Sequence, residues 1–255
     1  MKFGLLGEHL SHSYSKKIHE DLFLLKKIDA TYDLIEISED QLKEYIDKIR
    51  NKEYQGYNVT IPYKKTVMKY LDVIDPVAKD IGAVNTIYFK DGLVHGTNTD
   101  YFGFVDELKY YRISPKGKEC FVLGTGGASM ACQKALEDLG GDVIKVSREP
   151  RDKKMISYQE LEKMKSLEIV VNTTPVGMYP NVLSSPLDKN TAKKANVIID
   201  IIFNPKKTLL MSYNNKSHNG LRMLLMQAVK AEDIWLDKEY NIDYNEYFMR
   251  LKEMI

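Results

Sequence analysis

Glu119 to Ser129 reads E-C-F-V-L-G-T-G-G-A-S, and the fold class follows from it. Glu119–Leu123 is an apolar run, Gly124 to Ser129 is glycine-rich, and Ala128–Leu139 is a small-residue helical pattern ended by Gly140-Gly141. Strand, glycine turn and helix in that order aim backbone N–H groups and the positive end of a helix at one spot, where a pyrophosphate can sit. Gly124 and Gly126 allow the tight turn and the close approach, although the third position of the G-x-G-x-x-G spacing is Ser129. The ligand implied is a dinucleotide. Asp142–Ser147 and Leu167–Asn172 continue the strand and helix alternation. Val197–Ile202 is nearly all apolar, as a parallel strand buried on both faces requires. The second half therefore reads as a doubly wound, Rossmann-like α/β unit.

The strand after the glycine loop ends at Val146-Ser147-Arg148. An NAD-specific site places an acidic residue there, on the ribose hydroxyls. Here a hydroxyl and a guanidinium stand in that place, and Arg148 can hold a 2′-phosphate, so NADP is favoured over NAD. Glu149 argues the other way.

Upstream, Lys2–Leu6, a helix near Ser15–Lys27, Tyr32–Ile37, a helix from Ser38 and Gly56–Ile61 form βαβαβ. Ser38-Glu39-Asp40-Gln41 is a capping box, followed by Leu42, Tyr45, Ile46 and Ile49 on one helical face. Asn58 to Lys65 reads N-V-T-I-P-Y-K-K. Its β-branched start suits a strand, and Pro62 ends it. At the carboxyl end of a strand in an open α/β sheet, Asn58, Thr60 and Lys64 are polar groups delivered to a ligand site. A helical region is expected around Lys65–Lys79. Val84–Phe89 and Leu93–Gly96 then flank Asp91-Gly92, a strong hairpin signal. Counting back from that turn places Asn85 opposite Asn98, beside Gly96-Thr97-Asn98-Thr99-Asp100. From Gly220 onward the pattern is helical, with Leu221, Leu224, Leu225, Ala228 and Val229, then Tyr244, Tyr247, Phe248 and Leu251.

Composition narrows the partners. Thirty-seven basic against 36 acidic residues leave a formal charge of +1, so nothing points to a polyanion such as nucleic acid as the main partner. No apolar run reaches membrane-span or signal-peptide length, so a cytoplasmic protein is expected. Cys120 and Cys132 read as reduced core thiols. His9, His12, His19, His95 and His218 include no H-x-x-x-H pair, and no metal is expected.

Several of these motifs together resemble the shikimate dehydrogenase family, from Gly7 to Gln227. Ser13-Tyr14-Ser15 is similar to its S-x-S element, Asn58–Lys64 to its N-V-T-x-P-x-K, and Ala83-Val84-Asn85-Thr86 to its A-V-N-T. Gly96–Asp100 resembles G-x-N-T-D, Gly124–Ala128 the G-x-G-G-A cofactor loop, and Gly220–Leu224 with Gln227 the G-L-x-M-L-x-x-Q segment. Asn172–Met178 resembles the segment on the nicotinamide side.

The resemblance implies reversible NADPH-dependent reduction of 3-dehydroshikimate to shikimate, with Lys64 and Asp100 as the catalytic dyad. It implies substrate contacts from Ser13, Ser15, Asn58, Thr60, Asn85, Phe203 and Gln227. Cofactor contacts are implied for Gly124, Thr125, Gly126, Gly127, Ala128, Ser147, Arg148, Thr173, Ile201 and Gly220. The expected architecture is an N-terminal α/β substrate domain with a mixed sheet over residues 1–101, completed by C-terminal helices at about 230–255. A Rossmann-like NADP domain is expected over 102–229, with the active site in the cleft between the two. A monomer or homodimer is expected. The chain departs from the family at Lys16 and Glu20, at Phe203 where a tyrosine is common, and at Arg151, one residue early for a second cofactor arginine. Two alternatives are a quinate or quinate/shikimate dehydrogenase using NAD, and a non-catalytic sensor of the same fold; retention of both Lys64 and Asp100 argues against the sensor.

Overall fold

A computed structural model describes residues 1–11 and 13–254; His12 lies outside them. The first half runs β1 (Lys2–Gly7), α1 (Ser15–Lys26), β2 (Thr31–Glu36), α2 (Leu42–Arg50), β3 (Gly56–Val59), β4 (Val73–Ile74), α3 (Pro76–Ile81), β5 (Thr86–Lys90), β6 (Leu93–Thr97) and α4 (Thr99–Tyr110). Its strands form one mixed sheet in the order β2-β1-β3-β5-β6-β4, with β5 antiparallel to both β3 and β6. Side chains alternate across this sheet. Leu6, Tyr57, Val59 and Ile87 pack with Leu42, Ile46 and Ile49 of α2, whereas Phe3 and Leu5 pack with Phe23, Tyr32 and Trp235.

The Asp91-Gly92 turn has both residues at positive φ, 52° and 80°, the geometry of a tight two-residue hairpin. Lys90 pairs with Leu93 and Thr86 with Thr97, as counted from the sequence. The expected helical region at 65–79 is broken instead into a 3₁₀ turn at Thr66–Tyr70, strand β4 and helix α3. Pro76 disfavours helical backbone at Asp75, which is extended and caps α3 through Ala78 N–H. Val73 and Ile74 then pair with His95 and Gly96.

The second half continues with β7 (Glu119–Leu123), α5 (Gly127–Asp138), β8 (Asp142–Ser147), β9 (Met155–Ser157), α6 (Tyr158–Lys163), β10 (Leu167–Asn172), α7 (Lys189–Lys193), β11 (Ala195–Asp200), α8 (Leu209–Ser212), β12 (Ser217–Asn219), α9 (Leu221–Trp235) and α10 (Tyr244–Met254). Every strand pair here is parallel, in the order β12-β11-β10-β7-β8-β9. Read from the β9 edge this is the doubly wound order 3-2-1-4-5-6, whose switch point lies between β7 and β10. The strand expected at 197–202 occupies Ala195–Asp200. It stops where Asp200 Oδ1 accepts the Ile202 N–H and turns the chain.

Two compact units result, Met1–Gly103 with Leu225–Ile242, and Phe104–Leu224 with Asp243–Ile255. The C-terminal stretch is thus divided, whereas the sequence expectation put about 230–255 wholly with the first. Tyr244, Tyr247, Phe248 and Leu251 bury α10 in the second unit, where Asn245 accepts from Arg222 Nη1 at 3.1 Å. Cys120 and Cys132 are buried and form no disulfide. Among the described residues no helix is long and apolar enough to cross a membrane.

Candidate active site

Pro62 stops β3 from extending, and the chain turns back as Tyr63 N–H donates to Thr60 O at 2.9 Å. Tyr63 is buried and its hydroxyl donates to Ile37 O at 2.6 Å. Val84 N–H donates to Lys64 O at 2.8 Å. These bonds fix the backbone from which Lys64 projects. Asp100 stands in the first turn of α4, held by the hairpin: Asn98 Nδ2 donates to Ala83 O at 2.9 Å and Thr99 N–H to Asn85 Oδ1 at 2.6 Å.

The two side chains meet. Lys64 Nζ lies 2.5 Å from Asp100 Oδ2, with the side chains only 14% and 11% exposed. Asn85 Nδ2 donates to the other carboxylate oxygen at 2.9 Å. A charge-assisted bond on one oxygen and an amide on the other fix the carboxylate in two directions. Asn85, Asn58, Thr86, Thr99 and Gln227 are all buried around this pair. Thr99 Oγ1 donates to Gln227 Oε1 at 3.5 Å. The Asn58 amide is committed to protein partners, accepting from Tyr32 OH at 2.8 Å and donating to Asn85 O and Thr86 Oγ1. Thr60 is half-buried on the same turn as Lys64. Ser13 and Ser15 are half-buried at the start of α1, where Ser15 N–H donates to Ser13 Oγ at 3.2 Å. Sequence reasoning gave no site role to Tyr32, Thr86 or Thr99. The last two lie inside the A-V-N-T and N-T-D motifs, but Tyr32 carries no signal beyond strand alternation.

In the second unit the glycine turn has the shape a dinucleotide needs. Gly124 is at φ 103°, and a Cβ there would crowd Thr173 and Thr174. Thr173 lies across the switch point, with its hydroxyl donating to Leu123 O at 2.6 Å. Gly126 precedes α5, Gly127 opens it, and a Cβ at Gly126 would meet open space. Thr125 and Gly126 are exposed and Ala128 half-buried. Ser129 donates through Oγ to Gly124 O at 2.7 Å, closing the turn from within the helix. Gly220 leaves no room for a Cβ against the Ile201 carbonyl, so these two residues are in backbone contact. At the end of β8, Arg148 is exposed and makes no ion pair among the described residues. Glu149 instead pairs with Arg151 at 3.1 Å, and its N–H is accepted by Ser147 Oγ. Phe203 is half-buried in this unit.

Two buried carboxyls brace the second unit. Asp200 accepts from Asn172 Nδ2 and Thr208 Oγ1, and burial raises it to about 6. Glu107 is fully buried, accepts Met223 N–H at 2.8 Å, and is pushed to about 8, chiefly by desolvation.

The sequence is 41% identical over 96% of its length to the NADP(+) shikimate dehydrogenase of Clostridium beijerinckii, of which 98% is covered. The chain belongs to the shikimate dehydrogenase family. The family's substrate-binding domain, as a sequence model, matches residues 5–87 of this chain. In structure the chain is similar to a chorismate mutase/shikimate 5-dehydrogenase fusion protein from Clostridium acetobutylicum, with a TM-score of 0.96, 40% identity and coverage of 100% and 98%. It is also similar to the shikimate 5-dehydrogenase of Thermus thermophilus in complex with NADP(H) and shikimate, with a TM-score of 0.87, 26% identity and 99% coverage of both chains. Within a shikimate dehydrogenase the two constellations above are the candidate substrate and cofactor sites.

Proposed function

We propose that this protein reduces 3-dehydroshikimate to shikimate reversibly with NADPH, the first unit holding the substrate and the second the cofactor. The Lys64–Asp100 ion pair carries this reading. Reducing a ketone builds negative charge on its oxygen, and a donor within hydrogen-bond reach lowers the barrier. Lys64 Nζ supplies that proton, and Asp100 keeps the ammonium in place, itself fixed by Asn85. Thr60, the Ser13 and Ser15 hydroxyls and the Gln227 amide recognise the carboxylate and hydroxyls of a small polyol acid. Asn58 and Asn85, whose amides bond to protein partners, shape the site from beneath.

NADPH, when bound, supplies the hydride. The residues present fit such a group: a glycine turn at the switch point, the twelve-residue helix α5 behind it, and an exposed arginine at the end of β8. Thr125, Gly126, Gly127 and Ala128 receive the pyrophosphate. Arg148 reads the 2′-phosphate, and Ser147 shapes the turn beside it. Glu149 lies beside Arg151 at the surface, and the preference for NADP rests on the Arg148 guanidinium. Thr173, Ile201 and Gly220 line the remainder of the cofactor path in the second unit. Loss of NADPH absorbance with 3-dehydroshikimate, with shikimate identified by proton NMR as the product, tests the assignment. Consumption of NADPH without shikimate would refute it.

A further inference from the structure

The ion pair terminates a longer directed structure in the first unit. Tyr32 OH donates to Asn58 Oδ1 at 2.8 Å, and Asn58 Nδ2 donates to Thr86 Oγ1 at 3.0 Å. Thr86 Oγ1 donates to Asn85 Oδ1 at 3.0 Å, and Asn85 Nδ2 donates to Asp100 Oδ1 at 2.9 Å. Partners of one role each fix both amides, and a hydroxyl facing an amide oxygen donates to it. The Asn85 carbonyl can only accept, so Asn58 turns its Nδ2 toward it and presents Oδ1 to Tyr32. The Thr99 N–H can only donate, so Asn85 turns Oδ1 toward it and Nδ2 toward the carboxylate. Thr99 Oγ1, 2.9 Å from Thr86 Oγ1, completes the hydroxyl cluster. Tyr32, Asn58, Asn85, Thr86, Thr99 and Asp100 are all buried.

We infer that Tyr32 and Thr86 are positioning residues for the reaction, the origin and the middle of a hydrogen-bond chain that orients Asp100 and through it Lys64. The inference rests on the assignment of Lys64 and Asp100 as the reacting pair. Hydrogen bonds that point the same way polarise one another, and a low-dielectric setting strengthens each. A chain ending on a carboxylate delivers that gain to the anion. Its far end is pinned: the His19 ring stacks on Tyr32 with centroids 4.2 Å apart, and His19 Nδ1 lies 2.7 Å from Glu232 Oε1. Lys26 Nζ is 3.1 Å from Glu232 Oε2. Glu232 lies on the same helix as Gln227, and His19 and Lys26 on the helix that Ser15 opens. The charged or titratable groups facing the chain are therefore Lys64 and Asp100 at one end and His19, Glu232 and Lys26 at the other. Burial and the Glu232 charge hold the Tyr32 hydroxyl well above the usual tyrosine range, which keeps it a donor.

Tyr32→Phe keeps the ring and removes the first donor. Thr86→Val keeps the shape and cuts the chain, and Thr86→Ser restores the hydroxyl. The expected result is a fall in kcat of roughly tenfold for Thr86→Val, which breaks the bonds on both sides of the hydroxyl, and somewhat less for Tyr32→Phe, which takes the donor from Asn58 Oδ1. The pH midpoint of kcat should move by about half a unit, while the shikimate Kd by calorimetry stays within about twofold and Thr86→Ser recovers most of kcat. A merely structural role would lower the melting temperature and leave kcat and its pH midpoint unchanged; that result, or failure of Thr86→Ser to recover, overturns the inference. If Thr86→Val does not fold, Tyr32→Phe and Thr86→Ser decide by the same readouts. Lys64→Ala in parallel separates the two levels. Its retention of turnover removes the reacting pair itself, whereas its inactivity beside unaffected chain variants removes only the relay.

Discussion

Replacing Lys64 with alanine removes the cation paired with Asp100, and its two consequences differ in size. The chemical loss is the larger. General acid assistance contributes about 10²–10⁴ in rate, or roughly 3–5 kcal/mol of barrier, and the 2.5 Å contact shows Lys64 held by its carboxylate partner. The structural loss is smaller. Removing one member of a fully buried pair costs about 3–5 kcal/mol, but these side chains are 14% and 11% exposed and Asn85 still donates to Asp100. With that screening the cost falls to about 1–2 kcal/mol, a melting shift of about 5 °C for a chain of this size. The variant should therefore be folded at assay temperature. Its kcat from nicotinamide absorbance should fall at least a hundredfold, while shikimate binding by calorimetry changes little, because Ser13, Ser15, Thr60 and Gln227 are untouched. A kcat within tenfold of the parent would refute the role given to Lys64.

Arg148→Ala should weaken NADP by about tenfold or more and NAD by less than about twofold, as the loss of one charge-assisted phosphate contact requires; equal losses in a fluorescence titration would remove Arg148 from the 2′-phosphate. Gly124→Ala should raise the KM for the cofactor and lower stability by about 1–3 kcal/mol, since an L-residue is strained at φ 103° and its Cβ meets Thr173 and Thr174; an unchanged KM would show that the turn tolerates a side chain. Glu107→Gln should flatten the pH dependence of stability. The folded carboxyl sits at about 8 against an ordinary value near 4.5, so between those values the folded protein keeps a proton that the unfolded chain has lost. Stability should fall as pH rises through that window and level off above about 8, by a few kcal/mol in all. Melting curves from pH 5 to 9 should show the slope in the parent and a smaller one in the variant; identical slopes would contradict it.

The parallel sheet was the most legible part of the fold. Glu119–Leu123, Asp142–Ser147 and Leu167–Asn172 are strands over the same residues in sequence and structure, because apolar strands bounded by glycine or polar breaks leave little freedom at their ends. The segment at 65–79 was legible only at Pro76, which marks a break before α3. Its helical pattern gives way to Val73–Ile74 pairing along the sheet edge, a long-range contact that local propensity does not contain. The same limit applies to α10, whose apolar face says that it packs but not against which unit. At the candidate site, the meeting of Asn85 with Asp100 could be read from the Asp91-Gly92 turn by counting residues. The saturation of Asn58 by Tyr32 and Thr86 could not, since β2, β3 and β5 converge only through the tertiary strand order. Glu149 pointed toward NAD in the sequence alone, and its pairing with Arg151 at the surface depends on side-chain direction.

Substrate and cofactor are decided together by an initial-rate comparison of the purified protein with shikimate and with quinate, each paired with NADP and with NAD. Turnover should be greatest, by a wide margin, for shikimate with NADP. Equal or greater rates with quinate or with NAD would contradict the assigned substrate or the role of Arg148, and no turnover in any pairing would contradict the enzyme itself.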